Sequence, residues 1–79
     1  MELKAGYYRH YKGNLYEVLH TAQDSETERW VVVYRALYGE YGLWVRDYEM
    51  FVEKVEVEGI LVDRFAFVEE FFDDTDEPK

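Results

Sequence analysis

The chain has no cysteine and a single proline, Pro78. Without thiols, neither a disulfide nor a thiolate metal site can staple the fold, so its 79 residues must hold by packing alone. A domain of this size buries only about 60–65% of its unfolded surface, which places a heavy demand on each core side chain. No apolar run approaches the roughly eighteen residues of a membrane span. Met1-Glu2-Leu3-Lys4 leads into patterned sequence without a basic-then-apolar leader. The absence of cysteine and of a leader makes the cytoplasm the expected location.

Positive charge is scarce too, with nine Lys and Arg against eighteen acids and a net charge of −9. Nucleic acid is disfavoured as a partner, because its non-specific affinity comes from neutralised phosphates. The deficit is uneven: residues 1–22 carry +1, residues 23–47 carry −2 and residues 48–79 carry −8. Only the N-terminal third could locally attract an anion.

What the chain does have is rings. Fifteen Phe, Tyr and Trp residues supply the packing, each burying roughly 150–250 Å². Many are interleaved with cations, as in Gly6-Tyr7-Tyr8-Arg9-His10-Tyr11-Lys12-Gly13, and again around Leu37-Tyr38-Gly39 and Trp44-Val45-Arg46.

The periodicity is β. Tyr7–Tyr11 reads as a strand closed by Lys12-Gly13-Asn14, where glycine and asparagine can take positive φ. Leu15–Ala22 alternates and pairs back on it. The polar run from Gln23 to Arg29 is a loop. Trp30–Leu37 is the strongest strand, and Trp30-Val31-Val32-Val33-Tyr34 reads as buried on both faces. Tyr38–Gly42 reverses the chain into a strand over Leu43–Asp47, and Asp47–Phe51 forms a helical corner. Lys54–Val57 and Ile60–Arg64 form a hairpin about Glu58-Gly59, and Phe65–Phe72 ends the domain as a strand or a short helix. The expected fold is mainly β: a small, five- or six-stranded, SH3-like, partly open barrel over residues 1–72. An acidic, disordered tail follows over 73–79. Rolling the sheet spares it a wet apolar face and two unpaired edges.

Several blocks keep a recognisable order: Gly6-x-Tyr8-x-His10-Tyr11-Lys12-Gly13, Tyr16-Glu17-Val18-Leu19, Asp24-Ser25-Glu26-Thr27 and Val32-Val33-Tyr34. Leu37-Tyr38-Gly39, Trp44-Val45-Arg46, Met50-Phe51 and Arg64-Phe65 follow. In order and spacing this resembles the small bacterial family called domain of unknown function 1653, from about Gly6 to Phe67. The resemblance implies a compact SH3-like β domain and carries over no activity. One departure is visible. The family tends to have proline after Trp-Val-Arg, where this chain has Asp47, which can form the same corner through an Asx-turn.

Among residues that could carry chemistry, His10 shares a strand face with Tyr8 and Lys12, while Tyr7, Arg9 and Tyr11 share the other. It is either a half-buried histidine satisfied by a neighbour such as Glu26, or a ligand contact beside Lys12 or Arg46. A metal site from His10, His20, Asp24 and Glu26 lacks any established ligand spacing, and no metal or cofactor is assigned. Ser25-x-x-Glu28 has the form of a helix capping box, but Trp30-Val31-Val32-Val33 makes a poor helix start. An Asx- or ST-turn built on Asp24, Ser25 and Thr27 is preferred. Ser25 has no nucleophile elbow to support hydrolysis.

The better case is recognition, since Arg offers a planar fork for carboxylate or phosphate and Trp, Tyr and Arg dominate binding hot spots. Arg9, His10, Tyr11, Ser25, Glu26, Tyr38, Trp44 and Arg46 are the candidate contacts for a protein or a small anionic ligand. The expected function is a non-enzymatic binding module with an aromatic–arginine face. The alternative is an enzyme or sensor centred on His10, Glu26 and Arg46. Phe71 and Phe72 could also seal a homodimer.

Overall fold

The computed structural model describes residues 2–68 of the chain. It is mainly β, with β1 (Gly6–His10), β2 (Leu15–Gln23), β3 (Trp30–Ala36), β4 (Leu43–Asp47), α1 (Tyr48–Phe51), β5 (Lys54–Val57), β6 (Ile60–Asp63) and β7 (Phe65–Val68). The seven described strands form an antiparallel five-stranded sheet in the order β4-β3-β2-β1-β7 and a separate β5-β6 hairpin. The barrel is not closed: β4 and β7 remain the two edges of the larger sheet. The end of the chain beyond Val68, including Phe71, Phe72 and the acidic 73–79 segment, lies outside the described residues.

Turn chemistry sets the register. Between β1 and β2 the Gly13 amide bonds the His10 carbonyl at 2.7 Å, and Gly13 takes φ +115°. Between β5 and β6, Glu58 and Gly59 both have positive φ, 53° and 83°. That is the two-residue hairpin geometry whose twist suits the flanking strands. In the β2–β3 loop the Asp24 carboxylate accepts the Glu26 and Thr27 amides at 2.7 and 3.1 Å, and the Thr27 hydroxyl accepts the Arg29 amide. The loop is therefore an Asx-turn, with Asp24 and Thr27 the groups that bond its amides.

Asp47 makes the corner into α1 as an N-cap, accepting the Glu49 and Met50 amides at 2.9 and 3.4 Å. Its other carboxylate oxygen accepts Arg29 Nε at 2.7 Å. These bonds, led by the Arg29 contact, hold its pKa below the usual carboxylate value. A four-residue helix has no stability of its own, so this cap and the burial of Phe51 fix it.

Registry assigns one face of the sheet to the core. Tyr8, Val18, Val32, Tyr34, Phe51 and Phe65 form a single buried cluster. The expectation that Trp30–Tyr34 is buried on both faces is corrected here. Burial along β3 alternates, with Val32, Tyr34 and Ala36 buried and Val31, Val33 and Arg35 only partly covered. A sheet covered on one side requires this alternation.

Candidate functional site

Phe65 is the centre of the concave face. Its ring stacks on Phe51 at 4.0 Å and 4°, and meets His10, Tyr16 and Tyr34 edge-on at 4.8, 5.5 and 5.9 Å. The Arg46 guanidinium lies 5.5 Å from the centre of the same ring, within cation–π range. Arg46 pairs with Val32 across β4–β3, and His10 with Phe65 across β1–β7. Two strands separated by two others in the sheet thus bring a guanidinium and an imidazole to one phenyl ring. That convergence requires the sheet to roll.

His10 is partly buried, and its ring lies 4.7 Å from Tyr11. The Lys12 amide donates to His10 Nδ1 at 3.1 Å. An accepting Nδ1 leaves the ring proton of the neutral form on Nε2, so that atom remains a donor. Burial lowers the His10 pKa, and the positive charges of Arg46, Arg64 and Lys12 lower it further. His10 is therefore neutral at pH 7, in a neighbourhood that is electrically positive although the chain as a whole is acidic.

The arginines are incompletely satisfied. Nε of Arg46 and Nε of Arg64 are both shielded from solvent and have no hydrogen-bond partner among the described residues. Leaving such a donor unpaired costs about 1–3 kcal/mol. Arg64 reaches Glu53 with one terminal nitrogen at a long 3.4 Å, whereas Arg46 has no carboxylate partner among the described residues. Beside them the hydroxyls of Tyr16 and Tyr38 bond at 2.9 Å, with their rings edge-on at 5.6 Å. Burial, reinforced by that bond, pushes the Tyr16 pKa up to about 12. The phenol is thus a neutral hydrogen-bonding group at physiological pH. Tyr38 and Trp44 also line a depression of about 270 Å³ together with Gly39 and Gly42.

His10, Tyr11, Tyr38, Trp44 and Arg46 accordingly belong to one region, linked through Phe65, Tyr16 and Tyr34. Three of the sequence-derived candidates do not join it. The Arg9 guanidinium donates to the Gly13 carbonyl at 3.0 Å and braces the turn, and with His10 and Tyr11 it lines a separate depression of about 350 Å³ beside Val62 and Ala66. Ser25 and Glu26 sit in the loop beyond the far end of β2. They are separated from His10 by the length of that strand, roughly 25 Å at the usual rise per residue. The constellation of His10, Glu26 and Arg46 is therefore not assembled, and Glu26 is not the partner of His10.

His20 is turned away as well. It pairs with Val33 because the register shifts between Val18 and His20, a β-bulge that moves it to the outer face. No group of three or more His, Cys, Asp or Glu residues able to hold a metal occurs among the described residues. Sequence reasoning missed Arg64 and Tyr16 as members of the region. The adjacency of Arg64 to Phe65 was the available signal for the first, and the parity of Tyr16 with Val18 for the second.

This is an antiparallel β domain whose rolled concave face collects rings and the Arg46 guanidinium, with no helix among its described residues long and apolar enough to cross a membrane. The chain belongs to the DUF1653 family, described as a protein of unknown function, which it matches over residues 6–67. It is similar to a DUF1653 protein from Bordetella bronchiseptica known from a crystal structure. The two share 36% identity and a TM-score of 0.81, over 90% of this chain and 94% of that one. No curated protein matches it.

Proposed function

We propose that the domain is a non-enzymatic recognition module that binds a partner through the cleft of His10, Tyr16, Tyr38, Trp44 and Arg46 around Phe65. The observation that carries this reading is Arg46, a guanidinium lying against a phenyl ring with a shielded Nε and no acceptor. Rigid rings with an arginine fork favour binding over turnover, because they give contact area at low entropic cost. The only serine, Ser25, is separated from His10 by the length of β2, so that histidine cannot serve it as a base. Trp44 and Tyr38 are well exposed and extend the apolar contact toward the β4 edge.

The test is the double variant Arg46→Ala, Tyr38→Ala, checked for native circular dichroism and then used to capture partners from a lysate of the source cells. Loss of the proteins retained by the unaltered domain is expected. An unchanged set of retained proteins would show that the cleft is not the contact surface.

A further inference from the structure

We propose that β4 pairs edge to edge with β4 of a second copy of this chain, in an antiparallel register centred on Val45, so that two five-stranded sheets become one continuous sheet. This goes beyond the recognition reading, because it concerns the outer border of the sheet and not the cleft.

The backbone of β4 carries the argument first. β4 is an edge of the larger sheet, bonded on one side to β3. The Ala36 amide bonds the Gly42 carbonyl at 3.0 Å, which fixes the phase of that ladder. In an antiparallel ladder, residues that exchange both bonds alternate with residues whose groups turn the other way. Gly42, Trp44 and Arg46 therefore bond Ala36, Tyr34 and Val32, whereas Leu43 and Val45 turn their N–H and C=O groups outward. Among the described residues nothing bonds those outward groups. Natural edge strands are guarded by lysine, proline, a bulge or a covering segment. Leu43-Trp44-Val45 has none of the first three, its register with β3 is unbroken, and all three side chains are more than half exposed.

A second copy is the occupant that side chains and charge fit. Trp44 and Arg46 lie on the face of buried Tyr34 and Val32, so Leu43 and Val45 lie on the outer face. Self-pairing about Val45 continues the outer row Val33–Val45 into Val45 and Val33 of the other copy. On the inner face it sets each Trp44 opposite the stem of an Arg46, and it sets each Asp47 opposite a Leu43. Directly opposed residues have Cβ atoms about 4.5–5.5 Å apart, close enough to pack, and no like charges are opposed. The chain carries −9 in all, which works against self-association. Residues 29–47, however, carry Arg29, Arg35 and Arg46 against Glu40 and Asp47, a net +1. The joint is thus made from an acid-poor part of the chain. A contact one short strand long falls below about 1,200 Å² in total, the size of weak and reversible complexes. Added salt should strengthen it by screening the two net charges.

Sedimentation equilibrium of the full chain, loaded from about 10 μM to 1 mM to span the weak range, tests the proposal. The mass should rise from monomer toward dimer with concentration, and further in high salt, while exchange of the Leu43 and Val45 amides slows in step. Val45→Pro deletes the outward N–H without removing a bond to β3, a change that edge strands tolerate. Val45→Lys sets two like charges opposite each other across the joint. Each should lower the association constant by about tenfold or more with native circular dichroism, and the lysine variant decides the matter if the proline variant does not fold. Ile60→Lys is the control, since Ile60 is 64% exposed against 63% for Val45 but lies on the separate β5–β6 hairpin. It should leave association unaltered. A monomer at every concentration, a dimer indifferent to both Val45 variants, or an equal loss in Ile60→Lys would overturn the proposal. So would Leu43 and Val45 amides that exchange slowly whatever the concentration, because this chain's own residues would then cover the edge.

Discussion

Replacing Phe51 by alanine probes the part of the structure on which the cleft depends. Phe51 is 1% exposed, stacked flat on Phe65 and edge-on to Tyr8 and Tyr34 at 5.6 and 5.5 Å. Truncating a buried phenylalanine to alanine costs about 3–5 kcal/mol. At about 0.05–0.15 kcal/mol per residue, a domain of this length has on the order of 4–12 kcal/mol in total. The substitution should therefore remove about a quarter or more of the stability, and α1 would lose its only buried anchor. Trp44→Ala is the control. It deletes a larger ring, but one that is 58% exposed, so it should cost no more than about 1 kcal/mol. Urea unfolding followed by tryptophan fluorescence and circular dichroism measures both. With a slope near 1 kcal/mol per molar urea for so small a domain, the Phe51→Ala midpoint should fall by about 3 M or more. A loss below about 1.5 kcal/mol, or an equal loss in Trp44→Ala, would mean that the Phe51–Phe65 stack is not the centre of the core.

Gly6→Ala should destabilise the domain by about 1 kcal/mol or more, because Gly6 has φ +137° and a Cβ there would sit 3.2 Å from a Phe67 ring carbon; thermal melting reads this directly. Asp47→Ala should lower the melting temperature at neutral pH, because it removes the α1 cap and the Arg29 contact together. The Asp47 pKa is lowered in the folded state, so its contribution is present above the ordinary carboxylate value of 3.8 and is lost as pH falls below it. The gap between unaltered protein and variant should therefore close in acid, and a gap that persists at low pH would refute the assignment.

The strands were legible because alternation, turn residues and spacing agreed with one another. Leu43–Asp47 and Lys54–Val57 fall where patterning predicts, and the Glu58-Gly59 turn supplies the two positive φ values its hairpin needs. Asp47 was readable too, since an aspartate at a corner where proline would otherwise set the backbone points to a capping side chain. Two features escaped for definite reasons. A run of three valines reads as doubly buried, yet what covers each face is decided by the number of layers, and β3 has a layer on one side only. The bulge at Leu19 was invisible, because one extra residue leaves composition unchanged while reversing the parity of everything after it. His20 therefore turned outward although its parity matches that of Val18 and Tyr16.

The cleft was legible by residue type and illegible by membership. Tyrosine, tryptophan and arginine near glycine turns do mark the concave face, but β1 alternation splits neighbours that composition treats alike. It sends His10 to Phe65, while Arg9 bonds the Gly13 carbonyl. Proximity in the rolled sheet depends instead on which strands end up opposite one another. Arg46 and His10 lie on strands separated by two others in the sheet order, and they meet only because β7 returns beside β1 and places Phe65 beneath both. Arg64 enters through the same return. Its backbone amide bonds Glu53 and its carbonyl accepts the Tyr11 amide, so the β6–β7 joint is tied to the end of β1. Held there by main-chain geometry, Arg64 reaches the Glu53 carboxylate at a long 3.4 Å. The grouping of a guanidinium and an imidazole about one ring is a property of the assembled sheet and of no single strand.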